Sequence, residues 1–215
     1  MRMYLSSFRV GDHPDRLLAL MRRPGPAVVI ANSCDTAPPE RRAESVRLEL
    51  DALGSLGIAA TELDLRDYVD DRDRLADDLA GCELIWVRGG NTFLLRHALA
   101  VSGGDAVLTN LLARDAIVYA GYSAGACVLA PSLHGLELCD EPDDVPATYG
   151  VPARFDGLGV LDRPFVPHLD SPGHPETELV AQVADRYRRE GVDFWALRDG
   201  QVVVVDGTLD DAVLV

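Results

Sequence analysis

Gly121-Tyr122-Ser123-Ala124-Gly125 sets one serine between two glycines. Residues 117–120 before it are short, β-branched and aromatic, and residues 124–130 after it are small and helical in character. A G-x-S-x-G pentapeptide between a strand and a helix is the setting of a nucleophile elbow. The glycines let the chain bend sharply, and the hydroxyl then projects from the end of the sheet. The following helix aims free N–H groups and its positive dipole end at the reacting centre. The pentapeptide also reads as a serine N-cap beside tightly packed glycines, so the assignment depends on partners elsewhere in the chain. Val87-Arg88-Gly89-Gly90-Asn91-Thr92 ends a strand in two glycines and starts a helix at Asn91 or Thr92. One N–H from Gly89 or Gly90 and one from Ala124 would make an oxyanion hole. A serine also needs a base to become nucleophilic at neutral pH. Among the histidines, His13 and His97 fall in helical contexts and His134 in a polar loop, which leaves His168 in FVPHLD, with His174 in PGHPE as the next candidate. The acidic cluster Asp140, Glu141, Asp143 and Asp144 reads by default as a solvated loop, and one of its carboxylates would hold the imidazole tautomer.

The elements that must position these residues follow from periodicity. Residues 27–31, 58–64, 84–87 and 117–120 are short and nearly continuous in apolar character, as strands buried on both faces of a parallel sheet are. Helical patterns lie between them, with Gly54, Gly57 and Gly81 near their ends. The alternation predicts an α/β fold: an open, doubly wound, mostly parallel sheet flanked by helices, with its ligand site beyond the carboxyl ends of the strands. After residue 132 the chain turns rich in Pro, Gly and Asp. A helix over 177–190 and two strands follow, with Asp199-Gly200 as a hairpin turn signal between the strands, and residues 211–215 close an edge. Residues 1–215 read as one domain.

Composition limits the function. The formal net charge is -15 with no basic block, which argues against nucleic acid or anionic membrane as partner. No apolar run approaches the roughly 18 residues of a transmembrane helix, and polarity returns too early at the N-terminus for a signal peptide. A cytoplasmic location is therefore expected. Cys34, Cys82, Cys127 and Cys139 lack metal-ligand spacing and read as reduced, mostly buried thiols, with no metal site.

GGNTF, GYSAG and PH, in this order over nearly the full length, resemble peptidase E, the aspartyl dipeptidase family of serine peptidases related in fold to class I glutamine amidotransferases. The resemblance implies a flavodoxin-like sheet and a Ser-His-acid triad without cofactor, acting on a small peptide; a homodimer is a possible assembly. It carries the nucleophile onto Ser123, the base onto His168 and the acid onto Asp140, with Glu141 next. The oxyanion donors fall on Gly89 or Gly90 and Ala124, and substrate contacts on Arg88, Asn91, Thr92 and Glu178. Two departures stand out. Arg88 replaces the first glycine of GGGNT, and in GHPETEL the position of an aspartate-recognising arginine is Glu178, whose carboxylate would repel an acidic substrate. Weak or absent preference for N-terminal aspartate is expected, with Arg88 offsetting the repulsion in part. The alternatives are a cyanophycinase-like or other amide hydrolase on the same scaffold, or a non-catalytic small-molecule-binding module. A glutamine amidotransferase would need cysteine at the elbow, and Cys127, one turn into the helix, is expected to point elsewhere.

Overall fold

The computed structural model describes residues 1–23 and 25–215. Its strands are β1 (Arg2–Ser6), β2 (Ala27–Ile30), β3 (Ala60–Glu62), β4 (Leu84–Val87), β5 (Val118–Tyr122), β6 (Phe165–Val166), β7 (Trp195–Ala196), β8 (Val202–Asp206) and β9 (Val213–Leu214). Its α-helices are α1 (Pro14–Leu20), α2 (Pro39–Ser55), α3 (Arg72–Ala80), α4 (Thr92–Val101), α5 (Gly104–Ala113), α6 (Ala124–Cys127), α7 (Asp144–Tyr149) and α8 (Thr177–Glu190). The main sheet has the order β3-β2-β4-β5-β1-β8-β9. Its first five members are parallel, and β8 and β9 run antiparallel to their neighbours. This is the mostly parallel, helix-flanked α/β sheet expected from the alternation of strands and helices.

The near-continuous apolar strands bury both faces. Met3, Leu5, Ile85, Val87 and Tyr119 enter one core, and Tyr4, Val29, Trp86, Val118 and Ala120 enter the other. Because side chains alternate along a strand, each central strand feeds both layers. Helix ends are set locally. Asp71 caps α3 by accepting from the Arg74 N–H, and α8 ends at Gly191, whose φ of 69° suits a left-handed cap. Helix α8 buries Val180, Val183, Ala184 and Tyr187, an i, i+3, i+4, i+7 stripe.

Two features depart from expectation. β1, overlooked in the periodicity because it carries Arg2 and ends in serines, lies in the sheet interior between β5 and β8. Its arginine is accommodated by Glu83, with Nη1 to Oε1 at 2.8 Å, and by the Leu20 carbonyl. The hairpin expected around Asp199-Gly200 does not form. β7 pairs in parallel with β6 in a separate small sheet, whereas β8 joins the main one. The C-terminal hairpin is β8–β9, one element later. The chain at Asp199-Gly200 crosses between sheets, held by Asp12 N–H donating to the Gly200 carbonyl at 2.8 Å.

Candidate active site

Ser123 sits at the carboxyl end of β5, beside the ends of β4 and β1. Its φ of 48° and ψ of -119° lie in a region that non-glycine residues rarely occupy. The flanking glycines make that corner possible. A Cβ on Gly125 would collide with the Val87 carbonyl, and one on Gly121 would approach the same oxygen to 2.8 Å. The end of β4 thus packs directly under the turn. The Ser123 N–H donates to the Ser6 carbonyl at 3.3 Å, which ties the elbow to β1.

The glycine loop reaches the serine as the sequence suggested. A Cβ on Gly89 would lie 3.0 Å from the Ser123 Cβ. Gly90, with φ 138°, lies so close to Ser33 that a Cβ would come 2.8 Å from its carbonyl oxygen. Among the described residues, no backbone acceptor meets the N–H of Gly89, Gly90 or Ala124 outside the regular elements. Gly89 and Ala124 are the donors nearest the serine, one packed on its Cβ and one next to it in the chain.

His168 lies ahead of α8, is 2 % exposed, and has a left-handed φ of 59°. Its Nδ1 meets Asp199 Oδ1 at 2.7 Å. Asp199 also accepts from Ser7 Oγ at 2.8 Å, and Ser7 Oγ accepts the His168 N–H at 2.8 Å. Thr177 Oγ1 donates to the His168 carbonyl, and the Asp199 N–H donates to Ser171 Oγ. This ring of hydroxyls supports the unusual backbone at His168, whose N–H and carbonyl both have side-chain partners. With Nδ1–H given to a carboxylate, the Nε2 lone pair is left for the cavity. Burial pushes the His168 pKa below the ordinary imidazole value, and the neighbouring His174 adds to this against the hydrogen bond that Nδ1–H donates to Asp199.

Ser123 and His168 line one narrow cavity of about 10 Å³, together with Thr92, Asp140, Glu176 and Cys127. The acid expected at Asp140 is placed differently. Its carboxylate accepts the Thr92 N–H at 2.9 Å at the start of α4, while Glu141 is exposed and accepts the Asp143 N–H. Neither meets His168; Asp199 does. Asp140 is drawn to the helix N-terminus, where a carboxylate is favoured, and burial nonetheless raises its pKa to about 6, with Glu176 and Asp144 contributing.

The substrate-contact candidates divide. Thr92 is on the cavity wall. The Asn91 side chain caps α4, accepting from the Phe93 and Leu94 N–H groups and donating to the Glu141 carbonyl and Asp144. Arg88 turns away from the cavity toward α2. It lies 3.3 Å from Glu49 Oε1 and 2.6 Å from both Cys34 Sγ and the Gly89 carbonyl. Glu49 is buried and accepts from Trp86 Nε1 and Tyr122 OH, so the cation beside it offsets a buried charge. Glu178 is exposed and outside the cavity lining; Glu176 occupies the wall instead. Cys127 also lines the cavity, contrary to expectation, with Sγ donating to the Phe165 carbonyl at 3.3 Å and its pKa raised by burial.

Ser7, Ser171, Thr177, Asp199 and Glu176 went unread in the sequence. Only the Asp199-Gly200 turn signal marked any of them, and it marked Asp199 for another role. His168, His174 and Asp199 carry donor atoms within 4.8 Å of one another. The two rings are parallel to within 4°, so their in-plane lone pairs run side by side rather than converging as metal ligands do, and one of His168's nitrogens is already committed to Asp199.

The family model of peptidase family S51 matches residues 37–212. An uncharacterized peptidase of Pasteurella multocida is 30% identical over 154 residues, 70% of either chain. One of Listeria innocua is 30% identical over 120 residues, 56% of this chain and 54% of that protein, so the chain spans about half the length of this relative. A crystal structure of a candidate peptidase E from Listeria monocytogenes superposes with a TM-score of 0.80 at 20% identity, covering 100% of this chain and 97% of the other. A peptidase from an acI-B1 actinobacterium gives a TM-score of 0.70 at 14% identity, covering 100% and 86%.

Proposed function

This chain belongs to peptidase family S51, and from that premise we propose that it is a serine peptidase releasing single N-terminal residues from small peptides, dipeptides above all, with Ser123, His168 and Asp199 as its catalytic unit. The observation that carries this reading is the 2.7 Å contact of Asp199 with Nδ1 of His168, whose ring lines the same cavity as Ser123.

In this reading Nε2 of His168 takes the Ser123 hydroxyl proton as Oγ attacks the scissile carbonyl. The N–H groups of Gly89 or Gly90 and of Ala124 receive the developing oxyanion. His168 then passes the proton to the leaving amine, and water hydrolyses the acyl-enzyme by the reverse sequence. Asp199 fixes the tautomer and steadies the imidazolium.

The charge of the cavity supports the substrate class. Asp140 and Glu176 are on its wall, and no Lys or Arg is among its lining residues. A free α-ammonium is favoured there and an acidic side chain is not. Aspartate selectivity is therefore weak, for a reason located in Glu176 rather than Glu178.

A fluorophosphonate probe should label the wild type at Ser123 and leave Ser123→Ala unlabelled. A library of dipeptides, each free or N-acetylated, should be cleaved only with a free amine and best with neutral N-terminal residues. Cleavage of acetylated substrates at equal rates would sink the exopeptidase reading, and an unlabelled wild type would sink the serine mechanism.

A further inference from the structure

His174 is absorbed by none of the steps above, yet it lies against the base. Its ring is stacked on His168 with centroids 3.7 Å apart and planes within 4°. Phe8 meets both rings edge-on, at 5.9 Å from His168 and 5.4 Å from His174. The loop ahead of α8 holds His174 in place: its Nδ1 accepts the Glu176 N–H at 3.3 Å, and its backbone N–H donates to the Ser171 carbonyl.

The hydrogen bond from His168 Nδ1 to Asp199 fixes one edge of the ring but leaves the imidazole able to swing about that contact. A second ring lying flat on its face removes that freedom, and the edge of Phe8 limits it further. We propose that His174 is a positioning residue for the base: its stacked ring holds the plane of His168 so that Nε2 faces Ser123. This inference rests on His168 being the base of the reaction proposed above.

Burial and the neighbouring His174 ring both lower the His168 pKa, because a second imidazole against its face disfavours a positive charge there. The titratable groups facing His168 are Asp199 ahead of β8, His174 and Glu176 ahead of α8, and Asp140 and Cys127 on the cavity wall; Arg9 sits over the Phe8 ring. Removing His174 takes away both that neighbour and a cover against water. Both changes move the His168 titration upward.

The test compares His174→Ala with His174→Phe in the full chain, following the His168 ring by NMR titration and dipeptide hydrolysis by kcat and KM. In His174→Ala the His168 midpoint should rise by roughly half a pH unit or more. Its kcat should fall about tenfold, with KM within about twofold of wild type. His174→Phe keeps a flat ring without a charge, and kcat should return to within about threefold of wild type. An unchanged His168 titration and kcat in His174→Ala would overturn the inference. So would a His174→Phe variant that melts like wild type yet is as slow as His174→Ala, because the face of the ring would then not be the working contact. The NMR arm needs no turnover, so its result stands apart from the reading of the reaction. Hydrolysis that survives in Ser123→Ala would refute the serine mechanism instead.

Discussion

At the scale of single residues, the two carboxylates nearest the chemistry are separated by what they touch. Asp199 faces the imidazole and Asp140 faces a helix N-terminus. Asp199→Asn should therefore lower kcat on the order of a thousandfold or more, because an amide in that place favours the wrong histidine tautomer. Asp140→Asn keeps an acceptor for the Thr92 N–H and should leave kcat within a few-fold while raising KM. The pH profiles differ accordingly. The base must be neutral, and burial lowers the pKa of His168, so the acid limb of kcat/KM contributed by this group should fall below the ordinary imidazole value of about 6.5. Asp140 ionises at about 6, and its attraction for an ammonium is present above that pH and lost below it. KM for a neutral dipeptide should rise as pH falls through that value, and Asp140→Asn should flatten the dependence. Steady-state kinetics between pH 5 and 8 decides both; a KM profile unchanged by Asp140→Asn would remove Asp140 from amine recognition. In the same assay Glu178→Arg should leave the relative rate on Asp-Xaa as it was, and Glu176→Gln should raise it.

The decisive element is the junction of β5 with α6 over the end of β4. A strand, a single strained residue and one turn of helix fit there because the Val87 carbonyl presses into the space that side chains at 121 and 125 would need. Gly125→Ala should consequently destabilise the protein by roughly 1–3 kcal/mol, the usual range for overpacking a close-packed site, and should slow fluorophosphonate labelling of Ser123 by displacing the elbow. Thermal melting together with labelling rate checks this. A variant with wild-type melting temperature and labelling would mean that β4 yields to the added methyl. The glycine pair that made the motif recognisable is thus a packing requirement of the neighbouring strand.

On the scale of the molecule, the interior of the sheet contains a charge that a hydrophobic pattern does not announce. Arg2 and Glu83 are 5 % and 3 % exposed and meet at 2.8 Å, with Asp115 on the same guanidinium and Arg23 on the same carboxylate. Burial alone would raise the pKa of Glu83, but the hydrogen bonds from Arg2 and Arg23 outweigh it and hold the carboxyl below its ordinary value. A depressed folded-state pKa means that its stabilising contribution is present above the ordinary carboxyl range and disappears as the pH falls through the folded value. Arg2→Met alone should cost roughly 3–5 kcal/mol by leaving Glu83 without its buried partner, and Arg2→Met with Glu83→Leu should recover much of that loss. Denaturant unfolding of the single and double variants measures the difference; equal losses in both would show that the pair is worth no more than its separate members.

The sequence by itself determined the parts of this protein that are local. Strand–turn–helix around Ser123, the glycine loop at 89–90, the strand–helix alternation over 27–122 and the motifs of the peptidase family are all carried by residues adjacent in the chain, where periodicity and backbone permissiveness act. His168 stood out because few histidines compete for the role that the proposed mechanism gives it. What only the tertiary structure decided is which distant groups meet. Asp199 lies 31 positions from His168 and Ser7 lies 161 positions away, and neither has a local pattern that names its partner. The turn signal at Asp199-Gly200 expressed a real backbone preference, but pairing in two separate sheets overrode the hairpin and carried the carboxylate to the imidazole. Arg88 and Glu178 were placed at the substrate by their positions in motifs, and burial of Glu49 and the phase of α8 sent them elsewhere. Backbone propensity acts between neighbours, whereas the pairing of buried charges and hydroxyls is settled by which strands lie side by side.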